Sequence, residues 1–175
     1  GSFGATRDPE EAVRWFTKAA EKNHAGAQSR LGFCYWCGAG VTKDPAAAAS
    51  WYRKAAEQNA PAAQYNLAVC YRQGQGVERD ETEAVTWFRR AAEQNDRDAQ
   101  FSLALAYRDG RGADKDEAEA VRWMHRAAAQ EHAKAALALA GYYDGGGQSG
   151  QKDAAEALRW LRTSADLGYA PRLGE

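Results

Sequence analysis

Apolar and polar positions in this chain follow two superimposed rhythms. The short one is helical. In DPEEAVRWFTKAAEKN, residues 8–23, the apolar Ala12, Val13, Trp15, Phe16, Ala19 and Ala20 fall within one arc of roughly 160°. Their counterparts further along are apolar almost throughout. The long rhythm is a repeat. Trp15, Trp51, Trp87, Trp123 and Trp160 stand 36, 36, 36 and 37 residues apart. Asp8, Asp44, Asp80, Asp116 and Asp153 keep the same step, as do Tyr35, Tyr71, Tyr107 and Tyr143. The single extra residue falls in the glycine-rich segment before Asp153.

Each unit predicts two helices. Asp at the head of the first is a good N-cap, because its carboxylate accepts from the orphan N–H groups of the first turn. Pro9 and Pro45 then occupy the first helical position, where a missing N–H costs nothing. The helix ends at Asn23, Asn59 and Asn95, residues that tolerate the left-handed conformation past a helix end. The second helix carries Ala27, Leu31, Cys34 and Tyr35 on one side and stops at a Gly-x-Gly loop. A large aromatic facing paired alanines cannot complete its packing within one pair, so the pairs must stack into an α-solenoid. Burying one Trp, of order 200 Å², contributes roughly 5 kcal/mol before entropy is subtracted. The units are expected at about 8–43, 44–79, 80–115 and 116–152, with a partial one at 153–175.

The recurring A-x-x-W-[FY]-x-[KR]-A-A-E, A-Q-x-x-L-[GA]-x-x-Y and G-x-G-V-x-[KR]-D resemble the Sel-one-like repeat (SLR) family, a relative of the tetratricopeptide repeat. Tetratricopeptide units step by 34 residues and lack this loop. The resemblance implies a right-handed α/α superhelix whose first helices line the concave side. It also implies work as an adaptor that holds other proteins together. GATRD at residues 4–8 aligns with the tail of an earlier unit, and YAPRLGE breaks off inside a second helix. Solenoids need polar caps and neither end shows a complete one, so the chain is expected to be a segment of a longer protein.

Charge and cysteine content narrow the function classes. With 23 Lys and Arg against 24 Asp and Glu, the net charge is −1. That balance argues against nucleic-acid binding, which usually shows a basic excess. No apolar run approaches the roughly 18 residues of a membrane span. Three cysteines speak against a disulfide framework and fit a cytoplasmic address. The opening Gly-Ser has the look of an expression scar, so a removed leader leaves a periplasmic or extracytoplasmic address open.

The candidate chemistry is sparse. Arg53, Arg89, His125 and Arg162 share one column of the first helices, and Lys18, Lys54, Arg90 and Arg126 the next. This double stripe reads either as a groove for an acidic peptide, with Arg forks taking carboxylates, or as a solvated helix face. Glu57 and Glu93, four residues after Arg53 and Arg89, are expected to pair with them. CYWC, residues 34–37, has the spacing of a redox pair or half a zinc site. The repeat instead places Cys34 in a core column and Cys37 in a solvent column, at a helix C-terminus where the dipole raises a thiol pKa. His24, His125 and His132 match no Cys or carboxylate at ligand spacing. The Gly-x-Gly loops follow a helix and not a strand, so they are turns and not phosphate cradles.

No catalytic, cofactor or metal site is therefore expected. Trp36 stands where other units place Arg72, Arg108 and Asp144. It either fills the space beside the small Ser29 or is an exposed anchor for a flanking repeat or domain or for a partner. The expected function is a protein–protein interaction scaffold that contacts partners through Arg53, Lys54, Arg89, Arg90, His125, Arg162 and Trp36. The alternatives are a docking segment of a larger enzyme, of kinase or ubiquitin-ligase type, or a nucleic-acid-binding solenoid.

Overall fold

The computed structural model describes residues 8–147 and 152–169. Among these it has nine helices and no strand: α1 (Pro9–Glu21), α2 (Ala25–Cys37), α3 (Pro45–Glu57), α4 (Pro61–Gln73), α5 (Glu81–Glu93), α6 (Arg97–Asp109), α7 (Glu117–Ala129), α8 (Ala133–Asp144) and α9 (Ala154–Asp166). The fold is all-α, a solenoid of helix pairs. The expectations for residues 4–7, for the glycine-rich loop from 148 and for the tail from 170 lie outside the described residues.

The helix boundaries have local causes. All five repeated aspartates cap their helices: Asp8 accepts from the Glu10 N–H at 2.9 Å, Asp44 from Ala46 and Ala47 at 3.0 Å. Asp80, Asp116 and Asp153 accept from the N–H three residues on, at 2.9–3.0 Å. Asn23, Asn59 and Asn95 take φ of 63°, 64° and 71°, and Glu131 is forced into the same conformation at 60°. In the Gly-x-Gly loops the second glycine serves twice over. Gly40 has φ of 72°, and a Cβ there would lie 2.2 Å from the Pro9 carbonyl oxygen. A Cβ on Gly76 would lie 2.0 Å from that of Pro45. Each loop therefore rests on the first turn of its own unit's first helix, which only glycine permits.

The chain divides into two compact units, residues 1–87 and 88–175. In the first, α1 packs on α2, α2 on α3 and α3 on α4. Its core runs through Leu31, Leu67, Tyr52 and the alanines of α3. In the second, α6 packs on α7, α7 on α8 and α8 on α9, around Leu103, Leu139, Phe88 and Met124. The expectation that every Trp is buried needs correction. Trp87, Trp123 and Trp160 are 7–9% exposed, but Trp51 is half-buried and Trp15 is 62% exposed. Trp51 packs against the core of α1 and α2 and Trp160 against His125 of α7, each on the helix pair before its own, and α1 has no such pair among the described residues. The deepest aromatic position is the next one along, Tyr52 and Phe88, with Met124 in the same column.

A polar ladder joins successive pairs. Gln28, only 2% exposed, donates to the Ala20 carbonyl and to Asn23 Oδ1, and accepts from Gln58 Nε2 at 2.6 Å. In the second unit Gln100 donates to Ala92 and Asn95 and accepts from Gln130 at 2.8 Å. Every polar atom of these amides is satisfied, the condition under which burial is tolerated. One step later the columns read Glu131, Ala136 and Leu167, so all three amides are replaced together.

Candidate partner-binding surface

The cations of the first helices are held by the aromatics of the same repeat. In the first unit, the Arg53 guanidinium donates to the Tyr71 hydroxyl at 2.7 Å, and Lys54 Nζ sits 4.1 Å over the Trp51 ring. Lys18 lies 4.7 Å over Trp15. In the second unit, Arg89 donates to the Tyr107 hydroxyl, Arg126 stacks on Trp123 at 4.6 Å and Arg159 on Trp160 at 5.1 Å. Arg90 and Arg162 are exposed. The anticipated pairs of Arg53 with Glu57 and Arg89 with Glu93 do not form. The tyrosines of the second helices take both guanidiniums, because the i+18 phenol is held in place by its own helix while an exposed glutamate must be ordered at an entropic cost.

His125 takes the arginine position one repeat on. Its Nε2 lies 3.1 Å from the Tyr143 hydroxyl and its ring meets Trp160 edge-on at 5.3 Å. Burial lowers its pKa, outweighing the pull of Glu156. His125 thus leaves the basic stripe at neutral pH and is a polar contact there. The role of Tyr71, Tyr107 and Tyr143 was missed from sequence, although their spacing of 18 residues from the cation column was a visible signal.

The cysteines divide as the repeat columns demand: Cys34 and Cys70 are buried, Cys37 is exposed. Burial raises the Cys34 pKa, helped by Cys37, and pushes that of Cys70 up to about 11. The Cys37 thiol donates to the Phe33 carbonyl at 3.1 Å, at the end of α2. Among the described residues no cluster of His, Cys, Asp and Glu has the form of a metal site. One histidine does meet a carboxylate. His132 Nε2 lies 3.3 Å from Asp98, while Nδ1 accepts the Ala135 N–H and caps α8. His24 caps α2 in the same way. Both are helix caps.

Trp36 is half-buried and lines a cleft of about 240 Å³ with Phe33, Tyr52, Tyr65, Val69 and Arg72. Apart from Phe33, its neighbours there lie on α3 and α4, and Ser29 is not among them. No helix among the described residues is long and apolar enough to cross a membrane.

The Sel1 repeat family model matches residues 1–24, 25–59, 61–96, 97–132 and 133–169. No curated protein matches the chain. Among solved structures, a Sel1 repeat protein from Oxalobacter formigenes is 38% identical over 91% of this chain, with a TM-score of 0.86. A protective antigen of uropathogenic Escherichia coli with an SLR fold is 34% identical over 89%, with a TM-score of 0.84. Cysteine-rich protein B of Helicobacter pylori, 23% identical over 77% of this chain and 97% of its own, shares the fold at a TM-score of 0.59. The chain spans 64% of the Oxalobacter protein and 33% of the E. coli antigen. With five matches that run almost end to end, the chain belongs to the Sel1 repeat family.

Proposed function

We propose that the chain is a non-catalytic scaffold that binds a partner protein or acidic peptide through the cationic face of its first helices. Sel1 repeat folds commonly serve as protein–protein interaction scaffolds, which supports the class of function. The observation that carries the finer reading is the repeated cation–phenol contact. Arg53 on Tyr71 and Arg89 on Tyr107 are held in one orientation, so less side-chain entropy is lost when the remaining guanidinium N–H groups take a carboxylate. Lys54, Arg90 and Arg162 add charge, and His125 supplies a neutral polar contact. The test is affinity capture with the intact chain beside a variant carrying Arg53, Arg89 and Arg162 to Glu. Partners lost only from the variant, and released by salt, support the reading. Partners retained by the variant count against it.

A further inference from the structure

The cleft between α2 and α4 is where the chain departs furthest from its own repeat. In the column of Phe33 the later units place Val69, Leu105 and Gly141, and in that of Trp36 they place Arg72, Arg108 and Asp144. Those units build their second helices without either aromatic, so the fold does not require them. Phe33 is nonetheless 53% exposed. Scattered apolar residues on a surface need no explanation, but two aromatics converging on a formed cleft do.

The floor supplies a second, independent observation. Tyr52 lines the cleft and is only 2% exposed, yet its hydroxyl is not among the buried atoms left without a partner, and no protein acceptor is found for it among the described residues, so it opens on the cleft. Its column mates Phe16, Phe88, Met124 and Leu161 carry no hydroxyl, so core packing does not call for one. Room for the ring comes from Gly32, where a Cβ would lie 2.8 Å from it and where later units place Ala68, Ala104 and Ala140. A phenol that opens on a cleft with no acceptor from the protein can donate to an acceptor that a ligand brings in place of water.

Charge and size narrow the ligand. Among the residues lining the cleft Arg72 alone is charged, and helices α2 and α4 carry no carboxylate. The volume of about 240 Å³ falls below the roughly 300–1,000 Å³ of small-molecule clefts, and suits one anchoring side chain. We propose that this cleft docks a peptide segment of a partner protein, which inserts one bulky apolar side chain between Phe33 and Trp36 and offers a neighbouring carboxylate to the Tyr52 hydroxyl. The surface belongs to the second helices and does not rest on the cationic first-helix face.

Selection of a random displayed peptide library on the intact chain tests this, with the enriched peptides titrated by tryptophan fluorescence. The expected consensus is Phe, Leu or Trp with Asp or Glu within two residues. Trp36→Arg should weaken these peptides at least about tenfold, as truncation of a central anchor does. Tyr52→Phe should weaken them about three- to tenfold, the effect of one lost hydrogen bond. Both variants take residues from the chain's own columns, and unchanged melting confirms their folding. Arg53→Glu with Arg89→Glu should leave the affinity unchanged, which separates this site from the first-helix reading. Failure to enrich any binder overturns the proposal, as do peptides that bind both cleft variants like the parent chain.

Discussion

At the scale of single residues, Glu131 is the position most at odds with its backbone. It holds φ of 60°, where the equivalent positions use asparagine. A side chain without a local hydrogen bond pays about 1 kcal/mol there, so Glu131→Gly should raise stability by roughly that amount in a denaturant melt. The sequence marked Asn23, Asn59 and Asn95 as left-handed helix ends. The repeat extends the inference to residue 131 even though glutamate is a poor choice, because register outranks local preference. Cysteine reactivity belongs at the same scale. Iodoacetamide should modify one thiol per native chain, Cys37, and all three only after unfolding, since burial raises the pKa of Cys34 and Cys70. Rapid labelling of two or three thiols in the native chain would contradict the core assignment. What the sequence did not reveal is where Arg53 and Arg89 turn. Both i+4 glutamates and i+18 tyrosines were in view, and only the structure shows the phenols already in position.

At the scale of elements, the burial of a Trp is tied to the helix pair before its own, as Trp51 and Trp160 show by their contacts. Trp87→Ala should cost about 3–5 kcal/mol, typical of a large side chain removed from a packed site. Trp15→Ala should cost less than about 1 kcal/mol, as its ring is mostly in solvent. Equal losses from the two would remove the link between neighbour and burial. The α8 cap responds to acid. Burial lowers the pKa of His132 against the pull of Asp98, and its Nδ1 must be unprotonated to accept from Ala135. Arg97 on α6 and Lys134 on α8 also oppose the charged form, and the ring lies against Phe101 at 4.6 Å. An imidazole with a folded pKa below the unfolded value of about 6.5 binds fewer protons when folded. Its contribution is therefore complete above that pH and is lost as pH falls below it. His125 acts in the same direction. Melting temperature should drop from pH 7 to pH 5, and His132→Asn, which keeps a capping side chain, should flatten part of the slope. The helices themselves were legible from period and caps, whereas a histidine cap was not, because histidine is outside the residues by which an N-cap is recognised and Ala60 in the same column has no side-chain acceptor.

At the scale of the whole molecule, near-complete legibility of the fold follows from repetition: one 36-residue pattern read several times averages out local ambiguity. The candidate surfaces were less legible for the same reason. Residues common to all units report packing, and only departures such as Phe33, Trp36 and Tyr52 carry information beyond it. The amide ladder sharpens this. Ala136→Gln alone should cost about 1–3 kcal/mol, since its carbonyl would face Leu167 and no donor. Adding Glu131→Asn and Leu167→Gln should recover most of that loss, which thermal melts of the single and triple variants can measure.

The ladder also limits how such a chain can be lengthened or recombined. A 36-residue block such as residues 44–79 carries an amide at each edge, Gln58 and Gln64, and joins others of its kind. Set beside the alanine–leucine junction, the same block would leave an amide stranded. Junctions thus come in two incompatible dialects, and duplication of repeats, by a gene or by a designer, succeeds only between units that speak the same one.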